Sequence, residues 1–191
     1  MTRALTAGTL SALIASAALA APVTYNVDPA HTFPAFEADH FGGLSVWRGK
    51  VNSTSGKIVY DQEAKAGSVE VTMDMKSIDF GQDALNKHAT SGEMLDVTQF
   101  PTATFKGKLT KFNGDTPSEV AGELTLHGVT KPVTLKVVKF KCMTNPMSRK
   151  DVCGADAAAQ FNREDFGVSY GKNLGFDMTI KLLISVEGVK A

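Results

Sequence analysis

The feature that most constrains this chain is a long run of period two at its C-terminus. Between Gly175 and Gly188, Phe176, Met178, Ile180, Leu182, Ile184 and Val186 fall on one side. Asp177, Thr179, Lys181, Leu183, Ser185 and Glu187 fall on the other. Successive side chains of a strand point to opposite faces, so this reads as one long antiparallel strand with an apolar face. Ser68 to Ile78 repeats the pattern, with Val69, Val71, Met73 and Met75 opposite Glu70, Thr72, Asp74 and Lys76.

Further strands are expected at Val23–Val27, Phe33–Phe41, Thr102–Phe112, Glu119–His127, Val129–Lys141 and Ala155–Asn162. Leu44 to Tyr60 reads as one long bent strand, in which Gly49 and Gly56 mark a bulge or a sharp coil. His127-Gly128 forms a tight connection between two strands. Only Gln82 to Ser91 departs from this pattern. There Ala84, Leu85, His88 and Ala89 recur at helical spacing, with Gly92 as the stop residue. The fold class is therefore all-β with one short helix. About eight long strands with alternating faces remove their edges by closing into a barrel.

A barrel of that size is either filled by its own side chains or holds one slim ligand. Composition bears on this choice. Eleven Phe stand against three Tyr and one Trp, beside seven Met. Phe has no polar handle and Met is adaptable, so both suit a core or an apolar cavity. The pattern alone leaves both readings open.

The first twenty residues read as a signal peptide. Arg3 precedes a modest apolar run from Leu5 to Ala15, and Ala18-Leu19-Ala20 fits the cleavage rule. Residues 21–191 then form a single exported domain, with a periplasmic location expected. No cysteine follows the cleavage site to carry a lipid anchor. Without Arg3, the 20 Lys and Arg of the full chain become 19 against 20 Asp and Glu, a net charge of −1. That gives no electrostatic footing for nucleic acid. Cys142 and Cys153 are the only cysteines, and in an oxidising compartment such a pair is expected to form a disulfide.

Four segments resemble the YceI-like family of bacterial lipocalin-like, polyisoprenoid-binding proteins. Asp28-Pro29-Ala30-His31-Thr32, continued by Phe36, His40, Phe41 and Gly42, is similar to the family's opening motif. Phe100-Pro101-Thr102-Ala103-Thr104-Phe105 resembles its strand entry. The stretch from Gly122 to Val133 matches its most specific segment, and Arg163-Glu164-Asp165-Phe166-Gly167 its Arg-x-x-Phe-Gly segment. Together these span residues 23–188. One departure stands out: where the family often has Arg-Asp-x-His-Leu, this chain has Leu85-Asn86-Lys87-His88-Ala89.

The resemblance implies an extended eight-stranded antiparallel barrel with a helix beside it. It also implies a tunnel for the tail of an isoprenoid quinone or polyprenyl lipid, held non-covalently, with no cofactor. Phe36, Trp47, Met73, Phe105, Phe176 and Met178 are the expected lining. The four histidines, His31, His40, His88 and His127, show no metal-ligand spacing, so no metal site is expected. Asp28 with His31 reads as a turn-stabilising hydrogen bond, and Arg163 with Asp165 as an ion pair at a strand end. No catalytic residue is assigned. Two rival readings are an enzyme using a His with Asp28 or Glu93, and a ligand-free partner of a membrane cytochrome. Transient membrane contact and a homodimer are left open.

Overall fold

The computed structural model describes residues 21–191, so the expected signal peptide lies outside the described residues. The chain forms β1 (Val23–Val27), β2 (Phe33–His40), β3 (Ser45–Val51), β4 (Thr54–Asp61), β5 (Ala66–Asp74) and β6 (Ile78–Asp79). After α1 (Asp83–Thr90) come β7 (Thr102–Asn113), β8 (Thr116–Leu126), β9 (Val129–Thr144), β10 (Asp151–Asn162) and β11 (Thr179–Lys190). All pairings are antiparallel, and the ring β1–β4–β5–β7–β8–β9–β10–β11 closes where β11 pairs back onto β1.

The remaining strands extend that ring. Near its C-terminal end β11 pairs with β1, and along its first half with β2. β1 and β2 are thus two halves of one interrupted strand. β3 with β4, and β6 with β5, continue the same way, because β3 pairs with β2 and β6 while β4 pairs with β1 and β5. The barrel therefore has eight ring members, as the sequence implies.

The single bent strand expected from Leu44 to Tyr60 is broken at Asn52-Ser53. There the backbone N–H groups turn away from the ladder: Asn52 donates to the Ser77 carbonyl and Ser53 to the Ser77 hydroxyl. Gly49 and Gly56 mark no bulge, since β2–β3 and β4–β5 pair in continuous register. The register shifts occur instead in β7–β8 and β9–β10. Gly49 serves by its size: a Cβ there would lie 2.6 Å from the Phe36 ring. Gly122, opposite Gly107, does the same for Phe105, whose ring would meet its Cβ at 2.7 Å. Two interior Phe rings thus occupy space over glycines that any larger side chain would take.

α1 occupies the gap that opens between β6 and β7. Gln82 caps it, its side-chain oxygen accepting from the Leu85 N–H at 2.6 Å. Ser91, in extended conformation, caps its end, so Gly92 stands just past the cap as expected, though without a positive φ. Asn86 ties the helix to β6, accepting from the Phe80 N–H at 2.7 Å and donating to Asp79 at 3.0 Å. His127 and Gly128, both at positive φ, make the two-residue hairpin turn between Leu126 and Val129.

Cys142 and Cys153 face each other across β9 and β10 and are disulfide-bonded. The bridge clips the hairpin around residues 145–150. Replacing both by serine is expected to cost about 2–3 kcal/mol. Thermal denaturation should show a midpoint lower by roughly 4–10 °C.

Candidate ligand-binding site

The inward faces of the ring enclose a cavity of about 480 Å³. Its wall is built by strand parity. Val69, Val71 and Met73 of β5, Val120, Leu124 and Leu126 of β8, and Ile180, Leu182, Ile184 and Val186 of β11 all face it. One end is shut by Tyr60 and Phe140, whose rings meet edge to face at 5.4 Å. The Tyr60 hydroxyl donates to the Asp115 carbonyl at 2.7 Å, and burial pushes its pKa up.

The other end is open. Only Phe41, Tyr170 and Leu174 among the lining residues are exposed, and all three belong to this end. The β2–β3 turn is pinned there by Asp39, whose carboxylate accepts from the N–H groups of Gly42, Gly43 and Asp177 at 2.8, 2.6 and 2.9 Å. Those bonds, Asp177's first, hold its pKa below the usual value. His40 stacks on Trp47 with ring centroids 4.3 Å apart, and Phe41 and Phe176 pack edgewise on it. α1 supplies Leu85, His88 and Ala89, and the His88 ring packs against Tyr170 at 4.6 Å.

Of the six expected lining residues, Phe36, Trp47, Met73, Phe105 and Phe176 face the cavity. Met178 does not: it is buried outside the cavity, because β11 begins only at Thr179 and strand parity does not reach back to it. Tyr170 and Leu174 were not legible, since the segment between β10 and β11 has no period. Thr54 also faces the cavity, with a buried hydroxyl that has no hydrogen-bond partner.

Arg163 forms no ion pair with Asp165, which is exposed. Its guanidinium instead donates to the carbonyls of Val168 and Tyr170 at 2.9 and 2.6 Å.

The histidines are dispersed. His31 is exposed and bonded to Asp28 at 2.8 Å, while Asp28 also accepts from the Ala30 N–H. That is the expected turn. Glu187 lies close enough for the three side chains to approach one ion, with ligand atoms within 4.8 Å. His88 faces Glu93 at 3.8 Å, and His127 contacts the Phe166 carbonyl at 3.1 Å. No buried acid–base pair is assembled among the described residues. What the cavity offers is an apolar environment for a chain-like molecule.

The hydrogen bond between His31 and Asp28 raises the pKa of the first and lowers that of the second. The Asp28 contribution is present above its ordinary value of 3.8 and fades as pH falls through its lowered pKa. The His31 contribution is full below 6.5 and fades as pH rises through its raised pKa. The difference in thermal midpoint between wild type and His31→Ala is therefore expected to be small and largest near about pH 5, shrinking toward acid and alkali. Melting curves across pH check this.

Comparison with known proteins decides the kinship. Residues 25–188 match the YceI-like domain. The chain is 34% identical over 178 residues to a UPF0312 protein of Pseudomonas aeruginosa, covering 92% of this chain and 91% of that protein. This chain belongs to the YceI-like domain family. It is also 33% identical over 186 residues to Protein YceI of Salmonella paratyphi B, covering 95% of each. Among solved structures, this YceI-like barrel is similar to BcnA of Burkholderia cenocepacia, with TM-score 0.68 and 20% identity over 84% of this chain and 98% of that one. A polyisoprenoid binding domain from Saccharophagus degradans, implicated in plant cell wall breakdown, matches with TM-score 0.61 and 14% identity, covering 88% of this chain and 99% of that domain. These likenesses carry the fold.

Proposed function

We propose that this YceI-like protein is an exported, non-enzymatic carrier that holds one long-chain isoprenoid lipid, such as a quinone tail, in its barrel. One observation carries the reading: a continuous apolar cavity, closed at Tyr60 and Phe140 and open between Phe41, Tyr170 and Leu174. Each CH₂ of a lipid tail removed from water is worth about 0.8 kcal/mol, so a tail crossing an aqueous compartment gains from such a sleeve. Lost chain entropy offsets part of that gain, and the sleeve then selects thickness more than detailed chemistry. The polyisoprenoid binding domain of the same fold supports this ligand class.

The disulfide agrees with an oxidising compartment, and no helix among the described residues is long and apolar enough to cross a membrane. A periplasmic location follows from this reading. The open cavity argues against a filled barrel that serves only as a docking partner.

Trp47 is the single tryptophan and lines the cavity, so it reports directly on occupancy. Titrating lipid-free protein with an isoprenoid quinone is expected to quench Trp47 fluorescence saturably at one equivalent. Unchanged fluorescence, with no quinone co-eluting on gel filtration, would overturn the proposal.

A further inference from the structure

The rim of the open end is apolar where it faces water. Five of the nine large hydrophobic side chains that stand exposed among the described residues gather there. Phe41, Leu44 and Val46 lie on the β2–β3 hairpin, Tyr170 and Leu174 on the segment between β10 and β11. An exposed apolar patch of this kind marks a surface that meets another apolar body. Leu44 is 74% exposed and is not part of the cavity wall, so a ligand inside the barrel does not account for it.

The two segments form one surface. A Cβ at Gly42 would lie 2.8 Å from the Gly175 carbonyl oxygen, Phe41 packs on Phe176 at 4.9 Å, and Asp39 accepts from the Asp177 N–H. Residues 41–46 are exposed throughout and carry no charge. The charges near them in sequence are committed within the protein. Asp39 holds three N–H groups, Arg48 donates to Glu37 at 2.9 Å, Lys172 donates to Glu164, and Asp177 accepts from the Thr179 N–H. Apolar contact, more than charge, is what this rim offers.

Continuity with the cavity names the occupant. Phe41, Tyr170 and Leu174 belong both to the cavity wall and to the exposed rim. Tyr60 and Phe140 shut the other end, so a lipid tail enters and leaves past this rim. With the rim open to water, each methylene of the tail would be hydrated on its way; a rim seated in hydrocarbon spares it that step. We infer that the mouth of the barrel docks on the surface of a lipid bilayer, with Phe41 and Leu44 of the β2–β3 hairpin entering the boundary between head groups and acyl chains. This rests on the lipid-binding reading above. Contact of this kind needs no anionic lipid, and salt does not weaken it.

Flotation of lipid-free protein with vesicles of pure phosphatidylcholine tests it. Wild type is expected to float with the vesicles, its affinity changing less than about twofold between about 0.05 and 0.5 M salt. Leu44→Asp should bind the vesicles at least about tenfold more weakly, while taking up isoprenoid quinone in solution within about twofold of wild type. Met147→Asp alters an equally exposed apolar side chain on the hairpin beyond the closed end, and should float like wild type. Should Leu44→Asp lose quinone uptake as well, Leu44→Trp decides: tighter vesicle binding supports the inference, and unchanged or weaker binding overturns it. Wild type that takes up quinone but does not float overturns the docking surface alone. Flotation that survives in Leu44→Asp, or that requires anionic lipid, overturns it too. A dimer of wild type that Leu44→Asp dissociates, without flotation, would assign this face to a second copy of the chain and overturn it. Wild type that floats but takes up no quinone supports the docking surface and sinks the lipid-binding reading.

Discussion

Ala157→Phe is expected to abolish uptake of a long isoprenoid chain, by about a hundredfold or more, while leaving the fold intact. A hundredfold loss corresponds to about 2.7 kcal/mol of binding energy. Ala157 sits on β10, is 8% exposed and faces the cavity. In a tightly packed core, added methylenes force strain and cost about 1–3 kcal/mol. Here the added ring projects into an open lumen and gains apolar contacts that alanine lacks. Protein stability should therefore stay level or rise while binding collapses. Opposite changes in two measurements, thermal midpoint and quinone titration, separate a blocked tunnel from a damaged fold. Full binding by a stable Ala157→Phe variant would mean that the chain lies elsewhere.

Phe166→Ala should do the reverse, acting on the fold first. Phe166 is 1% exposed, and its ring meets Phe161 edge to face at 5.1 Å. It belongs to a single turn of 3-10 helix, Arg163–Phe166, which Gly167 ends in left-handed conformation at φ 80°. Removing a fully buried Phe typically costs about 3–5 kcal/mol through lost burial and the cavity left behind. Denaturant unfolding should show that loss. The same turn starts the loop on which Arg163 and Tyr170 are mounted, so the cavity mouth is expected to loosen with it. Stability within about 0.5 kcal/mol of wild type would contradict the packing described here.

Parity made much of the barrel readable. Val69, Val71 and Met73, and the even-numbered residues from Ile180 to Val186, alternate without interruption, and their apolar faces line the cavity. The helix and the His127-Gly128 turn were legible from local chemistry, as was the cysteine pair. Where the chain leaves the ladder, parity fails. The break at Asn52-Ser53 depends on hydrogen bonds to Ser77, a partner remote in sequence. Met178 precedes its strand by one residue, so its apparent face does not hold. Arg163 shows a different limit. Sequence neighbours suggested Asp165 as its partner, but the turn of 3-10 helix directs the guanidinium to carbonyls further along the loop. Tyr170 and Leu174 come from a segment without any periodic signal.

Native mass spectrometry of the protein purified from its own cells, followed by solvent extraction, tests the central claim most directly. The account predicts a single bound species with the mass of a long-chain isoprenoid lipid, released by solvent and restored when the lipid is added back. A population of bare protein, with no species extracted and none taken up on addition, would contradict it.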